Sequence, residues 1–442
     1  MKLWQKNFSV QDKVEQFTTG NDRESDLWLA QYDVLGSLAH TQMLQSIGLL
    51  TAEELPGLQA GLRQIYHEIK SGQFQIQPGV EDVHSQVELL LTERLGEVGK
   101  KIHSGRSRND QVLLDLKLFV RAQLRQVAEN TRALFDLLLA LADQHQHTLL
   151  PGYTHTQLAM PSSFGLWFGA YAESLADDLH ALQAAYRVAD QNPLGSAAGF
   201  GSSFPLDRQL TTDLLGFQTL NYNVVYAQMT RGKTEKMAAF GLASVAATLG
   251  KLAADVCLYM SQNFNFLTFP KELTTGSSIM PHKKNPDVFE LIRAKCNRLQ
   301  ALPNEITLVL ANLTSGYHRD LQLIKENMLP AFAGLNDCLD MAGYMLAQVR
   351  VREGILDDDL YKYLFSVEVV NNLVRQGVSF RDAYRQVGLD IEAGTFAPSR
   401  TLAHTHLGSL GNLALAQIRD KMAATWAGFQ FERAEKMYEL LG

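Results

Sequence analysis

The chain has 442 residues, of which 46% are hydrophobic, and 47 acidic against 40 basic residues give it a formal net charge of −7. That length exceeds what one hydrophobic core usually serves, so two or three domains are expected, and the interspersed charge argues against a nucleic-acid-binding surface as the main business of the chain. Cys257, Cys296 and Cys338 are odd in number and far apart, which indicates no disulfide framework and fits a reducing cytoplasm.

No apolar leader opens the chain, and its most apolar long stretch, residues 237–249, meets Lys251 and Asp255 before reaching bilayer-spanning length. A core helix is expected there, and no membrane association.

Residues 1–110 read as short helices and loops. Leu38, Met43, Leu44 and Ile47 precede Gly48, and Thr51 with Glu54 forms a capping box ahead of Leu55, Leu58, Leu62, Ile65 and Ile69. Residues 111–150 contain neither glycine nor proline, and Val120, Val127, Leu134 and Leu141 recur every seventh position. One long helix of roughly 50 to 60 Å is expected, with a bundle seam along it. Pro151 ends it.

A second helix is expected over 162–188 and a glycine-rich loop over 193–204. Further helices are expected over 226–263, over 286–314 with a bend at Pro303, and from Pro330 to 350. Long helices in succession, without strand runs between them, make the chain all-α, with a central bundle over 111–356. Short helices punctuated by Gly377, Gly388, Gly394 and Pro398 form a third, small helical domain over 357–442. So elongated a bundle is expected to pair with copies of itself.

Four stretches carry chemistry. The first joins residues 81–84, with Asp82 and His84, to the IHSGRSRNDQ run at 102–111, where Arg106, Arg108 and Asn109 offer donors to a carboxylate; taken alone it reads as a charged interdomain turn. In the second, 152–161, Thr154 and His155 sit in a loop between long helices. A lone loop histidine is more often structural, but Glu290 offers it a carboxylate partner that would fix its tautomer and raise its basicity.

The third is GSSIMPHKKNPD at 276–287. Asn285 before Pro286 suits a helix N-cap, and the helix end together with Lys283 and Lys284 makes an anion site that would favour the alkoxide of a neighbouring serine. Gly276 lets the segment close over a substrate. On local physics alone, an ordinary basic surface loop fits equally well. The fourth is SGYHRDLQLIKE at 315–326, with Tyr317, Gln322 and Lys325; alone, it is a solvated helical face.

The third stretch matches GSSxMPxKxNPxxxE, the signature of the fumarase/aspartase superfamily, at Gly276, Ser277, Ser278, Met280, Pro281, Lys283, Asn285, Pro286 and Glu290. With HSGRSRNDQV at 103–112 and NPLGSAAGFGSSFPLDR at 192–208, the whole chain resembles the argininosuccinate lyase branch of that superfamily. The resemblance implies a homotetramer with a twenty-helix core, active sites drawn from three subunits, and elimination across a C–N bond to release fumarate.

It also implies roles. Ser277 matches the general base, His155 the active-site histidine and Glu290 its carboxylate. Lys283 and Asn285 match the groups that hold the substrate carboxylate in its carbanionic form. Asn109, Thr154, Tyr317, Gln322 and Lys325 match substrate-binding positions, with Asp82, His84, Ser107 and Arg108 in the same motifs. No metal-ligand spacing or nucleotide loop appears, so no cofactor is implied, and His404 with His406 reads as incidental.

The sequence departs from the family's pattern at Gln5, Lys6 and Asn7, at His282, at Met229 to Lys233, and at Leu323 and Ile324. These changes concern the arginine end of the site more than the elimination centre, and leave a related succinyl-amino compound open as substrate. A catalytically silent structural protein with the same fold, as among lens crystallins, is the reading from another class. It would call for damage at Ser277, His155, Lys283 or Glu290, and all four are present.

Overall fold

The computed structural model describes residues 11–442, so the departures at Gln5, Lys6 and Asn7 lie outside the described residues. The architecture is all-α, with only short two-stranded pairings beside the helices.

The N-terminal part holds α1 (Asp12–Thr19), α2 (Asp22–Leu27), α3 (Ala30–Ser46), α4 (Glu54–Lys70), α5 (Val83–Leu95) and α6 (Glu97–Lys100). The capping box ahead of α4 is formed: Thr51 N–H donates to Glu54 Oε2 at 3.0 Å, and Glu54 N–H to Thr51 Oγ1 at 3.3 Å. α3 packs on both α4 and α7, which is why polar Ser37, His40 and Thr41 are buried along with its apolar residues.

α7 (Arg108–Gln144) runs 37 residues, about 55 Å at the standard rise. It starts earlier than expected because Ser107 caps it: Ser107 Oγ accepts from Asn109 N–H at 3.3 Å, and Asp110 Oδ1 accepts from Ser107 N–H at 2.8 Å. It also ends earlier. The chain leaves it into a hairpin of β1 (Leu149–Thr154) and β2 (Gln157–Ser163), where the sequence had suggested a plain loop. Ser163 then caps α8 (Phe164–Ala189) by accepting Leu166 N–H at 3.1 Å.

After α9 (Arg208–Leu214), the single helix expected over 226–263 is two, α10 (Val224–Met229) and α11 (Lys233–Tyr259). Gly232 breaks it, with φ of 77° and so little room that an added Cβ would lie 2.3 Å from Leu310 Cδ2. α12 (Asp287–Leu299) and α13 (Leu302–Leu310) replace the one bent helix, with Pro303 in the first turn of α13. α14 (Ile324–Leu346) starts before Pro330 and accommodates it internally. Then follow α15 (Ser366–Arg375), α16 (Phe380–Glu392) and α17 (Leu415–Trp426).

α7, α8, α11, α12 and α14 pack on one another around the main core. Phe119 of α7 sits at its centre, edge-on to Tyr32 at 5.9 Å and to Phe332 at 5.7 Å. α11 is long and apolar enough to cross a bilayer, but it packs against α8 and α12, as expected of a core helix. A second, smaller core of Val370, Ala383, Val387 and Phe396 lies between α15 and α16, while α17 lies back on α8.

Two buried cations of α7 pin the segment after α8. Arg121 donates to Asp190 Oδ1 at 3.0 Å and to the carbonyls of Leu215 and Gly216 at 2.8 and 3.0 Å. Lys117 reaches Asn221 Oδ1 at 3.0 Å, and burial pushes its ammonium down to about 7.

Candidate active site

A cavity of about 380 Å³ opens where the N-terminal ends of α2, α5 and α7 meet the turn before α14. Asp82, His84, Ser107, Arg108, Asn109, Tyr317, Gln322 and Lys325 all line it, so two of the four sequence stretches converge there.

Capping places these side chains. Asp82 starts α5 by accepting Ser85 N–H at 2.8 Å, and Ser107 starts α7, which sets Arg108 and Asn109 on its first turn. Arg108 donates to Glu81 Oε2 at 2.9 Å and pairs with Asp82. Burial would raise the Asp82 carboxyl, but His84 and Arg108 outweigh it and hold it below the usual range. His84 Nδ1 lies 2.7 Å from Asp33 Oδ1; burial opposes its charge, yet Asp33 prevails and the imidazole is pushed up to about 9. His103, on the same wall, goes the other way: burial and then Arg106 push it down to about 4.

The fourth stretch is less open than the sequence suggested. It is not a solvated helical face. Lys325 is buried and paired, 2.6 Å from Asp26 Oδ1 and also with Asp22, and these carboxylates raise its pKa despite burial. Gln322 donates to the carbonyl oxygens of Thr19 and Thr18 at 2.9 and 3.3 Å. Asp22, Asp26 and Arg319 line the cavity and were missed. The signal for the two acids was their four-residue spacing, which places both on one face of α2. Arg231, among the departures, lines it too, paired with Glu235 at 3.1 Å.

The signature segment lies apart. Asn285 does not cap α12, which begins at Asp287 with Pro286 before it. Asn285 instead closes the base of the loop, its N–H donating to Thr275 O at 2.9 Å and its Nδ2 to Gly276 O at 3.2 Å. Within the loop, Ser277 Oγ accepts the backbone N–H groups of Met280 and Ile279 at 3.1 and 3.4 Å. Lys283, Lys284 and Glu290 are exposed.

Thr154 and His155 are exposed on the β1–β2 hairpin, with His155 and Thr156 at φ of 53° and 59°. The expected pair of His155 and Glu290 is not formed within the chain: among the described residues no hydrogen bond or ion pair joins them, and both side chains are exposed. None of Thr154, His155, Ser277, Lys283, Asn285 and Glu290 lines the cavity.

One cluster has no counterpart in the sequence reading. Asp33, His84 and Asp115 bring three potential ligand atoms within 4.8 Å of one another, all buried. Their closest approach is a hydrogen bond to His84, and the site reads first as an ion-paired histidine.

A lyase family model matches residues 8–301. An argininosuccinate lyase of Parabacteroides distasonis is 64% identical over 98% of this chain and 97% of its own length. Those of Bacteroides thetaiotaomicron and Thermotoga neapolitana are 62% and 38% identical, over 98% and 87% of this chain and 98% and 97% of their own. Among solved structures, an EDDS lyase variant with bound fumarate superposes with a TM-score of 0.77 at 22% identity, covering 96% of this chain and 93% of that one. A class II fumarase from Schistosoma mansoni gives 0.71 at 16% identity, over 93% and 95%. These two likenesses concern the fold.

Proposed function

The chain belongs to the argininosuccinate lyase family, and from that premise we propose how its residues cleave argininosuccinate to L-arginine and fumarate, a reversible elimination that serves arginine biosynthesis. Ser277 takes the proton alpha to a succinyl carboxylate. The C–H electron pair becomes the C=C bond of fumarate, the C–N bond breaks, and the guanidino nitrogen leaves with the C–N pair and gains a proton.

The observation that carries this reading is the environment of Ser277 Oγ, which accepts two backbone N–H groups. A serine hydroxyl is a poor base at its ordinary pKa, and two aligned donors lower the cost of its alkoxide. Lys283 and Asn285 hold the carboxylate as it becomes the dianionic aci form. One such donor is worth roughly 3 to 4 kcal/mol in a transition state. His155, with Glu290, donates a proton to the leaving nitrogen.

The cavity holds the remainder of the substrate, with Asp82, His84, Ser107, Arg108, Asn109, Tyr317, Gln322 and Lys325 as its contacts and Thr154 approaching from a hairpin. In this reading the working site is composite, which fits the signature loop and hairpin tip not lining the cavity of their own chain. We place it in a cytoplasmic homotetramer with a twenty-helix core, built from an N-terminal domain (1–110), the long-helix bundle (111–356) and a small C-terminal domain (357–442). Neither nucleic acid nor membrane takes part.

Purified protein mixed with argininosuccinate, and separately with adenylosuccinate, malate or aspartate, tests the reading through the ultraviolet absorbance of fumarate. Release from argininosuccinate alone is expected. Silence from a folded tetramer on argininosuccinate would overturn it.

A further inference from the structure

His84 stands on the cavity wall with one ring nitrogen already committed. Its Nδ1 lies 2.7 Å from Asp33 Oδ1 of α3 and 3.6 Å from Asp115 Oδ2 of α7, and all three side chains are at most 4% exposed. Nε2 has no partner among the described residues, while the residue lines the cavity. The ring is thus fixed from behind and has one free donor in front.

We propose that Asp33 and Asp115 are positioning residues for the lyase reaction, holding the His84 ring as a cation whose Nε2–H meets a carboxylate of the substrate. The inference rests on the lyase reading and adds to it an anion contact that is set by two carboxylates outside the recognised motifs.

The charges around the ring agree. Asp33 from α3, Asp82 from the start of α5 and Asp115 from α7 favour the imidazolium, and they outweigh burial. Arg106, in the turn before α7, is held by the same Asp33 and Asp115, and His103 is pushed down to about 4 and so is neutral near pH 7. Arg108 and Lys325 share the cavity, each already paired with carboxylates. Burial, and then the charge of Asp33, drive Asp115 well above the usual carboxylate range. One imidazolium facing one carboxylate remains stable in that balance, where a neutral imidazole would offer a weaker, uncharged donor.

Asp33→Asn keeps the shape and removes the charge. At about pH 8 its KM for argininosuccinate is expected to rise about tenfold with kcat little changed, and at about pH 6 the rise should be smaller, because burial then pulls the ring's pKa down while Asp82 still favours its charge. An unchanged KM, or a rise of the same size at both pH values, overturns the proposal. A purely structural loss would follow that second pattern.

Should Asp33→Asn fail to fold, ¹⁵N-histidine spectra of the wild-type protein decide. One ring, absent from the His84→Gln spectrum, should stay doubly protonated to about pH 8.5. If the His84 signal titrates at or below the ordinary histidine range, the proposal is wrong. That spectrum needs no turnover. Failure of the wild-type protein to release fumarate would count against the lyase reading instead.

Discussion

Lys325 Nζ lies 2.6 Å from Asp26 Oδ1, so a cation expected to meet substrate arrives already held by the opposite wall of its cavity. The pair joins α14 to α2, and Asp26 also accepts Val83 N–H at 3.3 Å, which ties in the start of α5. Removing one partner from such a buried pair leaves the other charge uncompensated. Lys325→Met should therefore destabilise the fold by about 3–5 kcal/mol, as well as abolish activity. Denaturant titration checks this, and an unshifted midpoint would mean that the pair is not buried in solution.

Ser277→Ala should leave the melting temperature within error and argininosuccinate binding intact, because the side chain is only partly buried and bonds within its own loop. Turnover should fall roughly 10²- to 10⁴-fold. Fumarate release and isothermal calorimetry on the same preparation separate the two effects; near-normal turnover would remove Ser277 from the role of base.

Stability should respond to pH on both sides of neutrality. His84 is raised from 6.5 to about 9, so its contribution is complete below about 6.5 and is lost as pH rises through about 9, a loss of about 3 kcal/mol. His103 is lowered from 6.5 to about 4, so the fold loses stability as pH falls from about 6.5 through about 4. Lys117, lowered from 10.5 to about 7, opposes His84 over the alkaline range. Melting curves of wild type and His84→Gln, compared from pH 6 to 9, isolate the His84 contribution as their difference. A constant difference would refute it.

Two variants damaged in different halves of the composite site should rescue each other. Ser277→Ala and Arg108→Ala, each inactive alone, should regain part of the activity once their subunits have been mixed and reassembled, since some sites then draw both halves from intact chains. Absence of rescue in verified mixed tetramers would place the whole site within one chain.

The sequence was most legible where one physical rule acted alone. A run free of glycine and proline made α7 visible, although Ser107 and the hairpin moved both of its ends. The hairpin was hidden because its tip is His155 and Thr156, both at positive φ, where the usual signal is asparagine or glycine. Gly232 looked harmless in a helical pattern, and only the approach of Leu310 shows why the helix must break there. Pro330 was read as a boundary, yet the helix passes through it. In the site, motifs brought out the residues of the cavity wall. Asp22 and Asp26 were overlooked because their four-residue spacing marks a face of α2 but only the long-range pairing to Lys325 makes that face part of the site, and Asp33 and Asp115 because burial and partners, not spacing, define them.

The small core between α15 and α16 gives those helices a stability of their own. Four buried residues shield little backbone from solvent, so this part should open and close far more often than the bundle beside it. In hydrogen exchange it should appear as a fast-labelling island on a slow body, and proteases should find the chain there first.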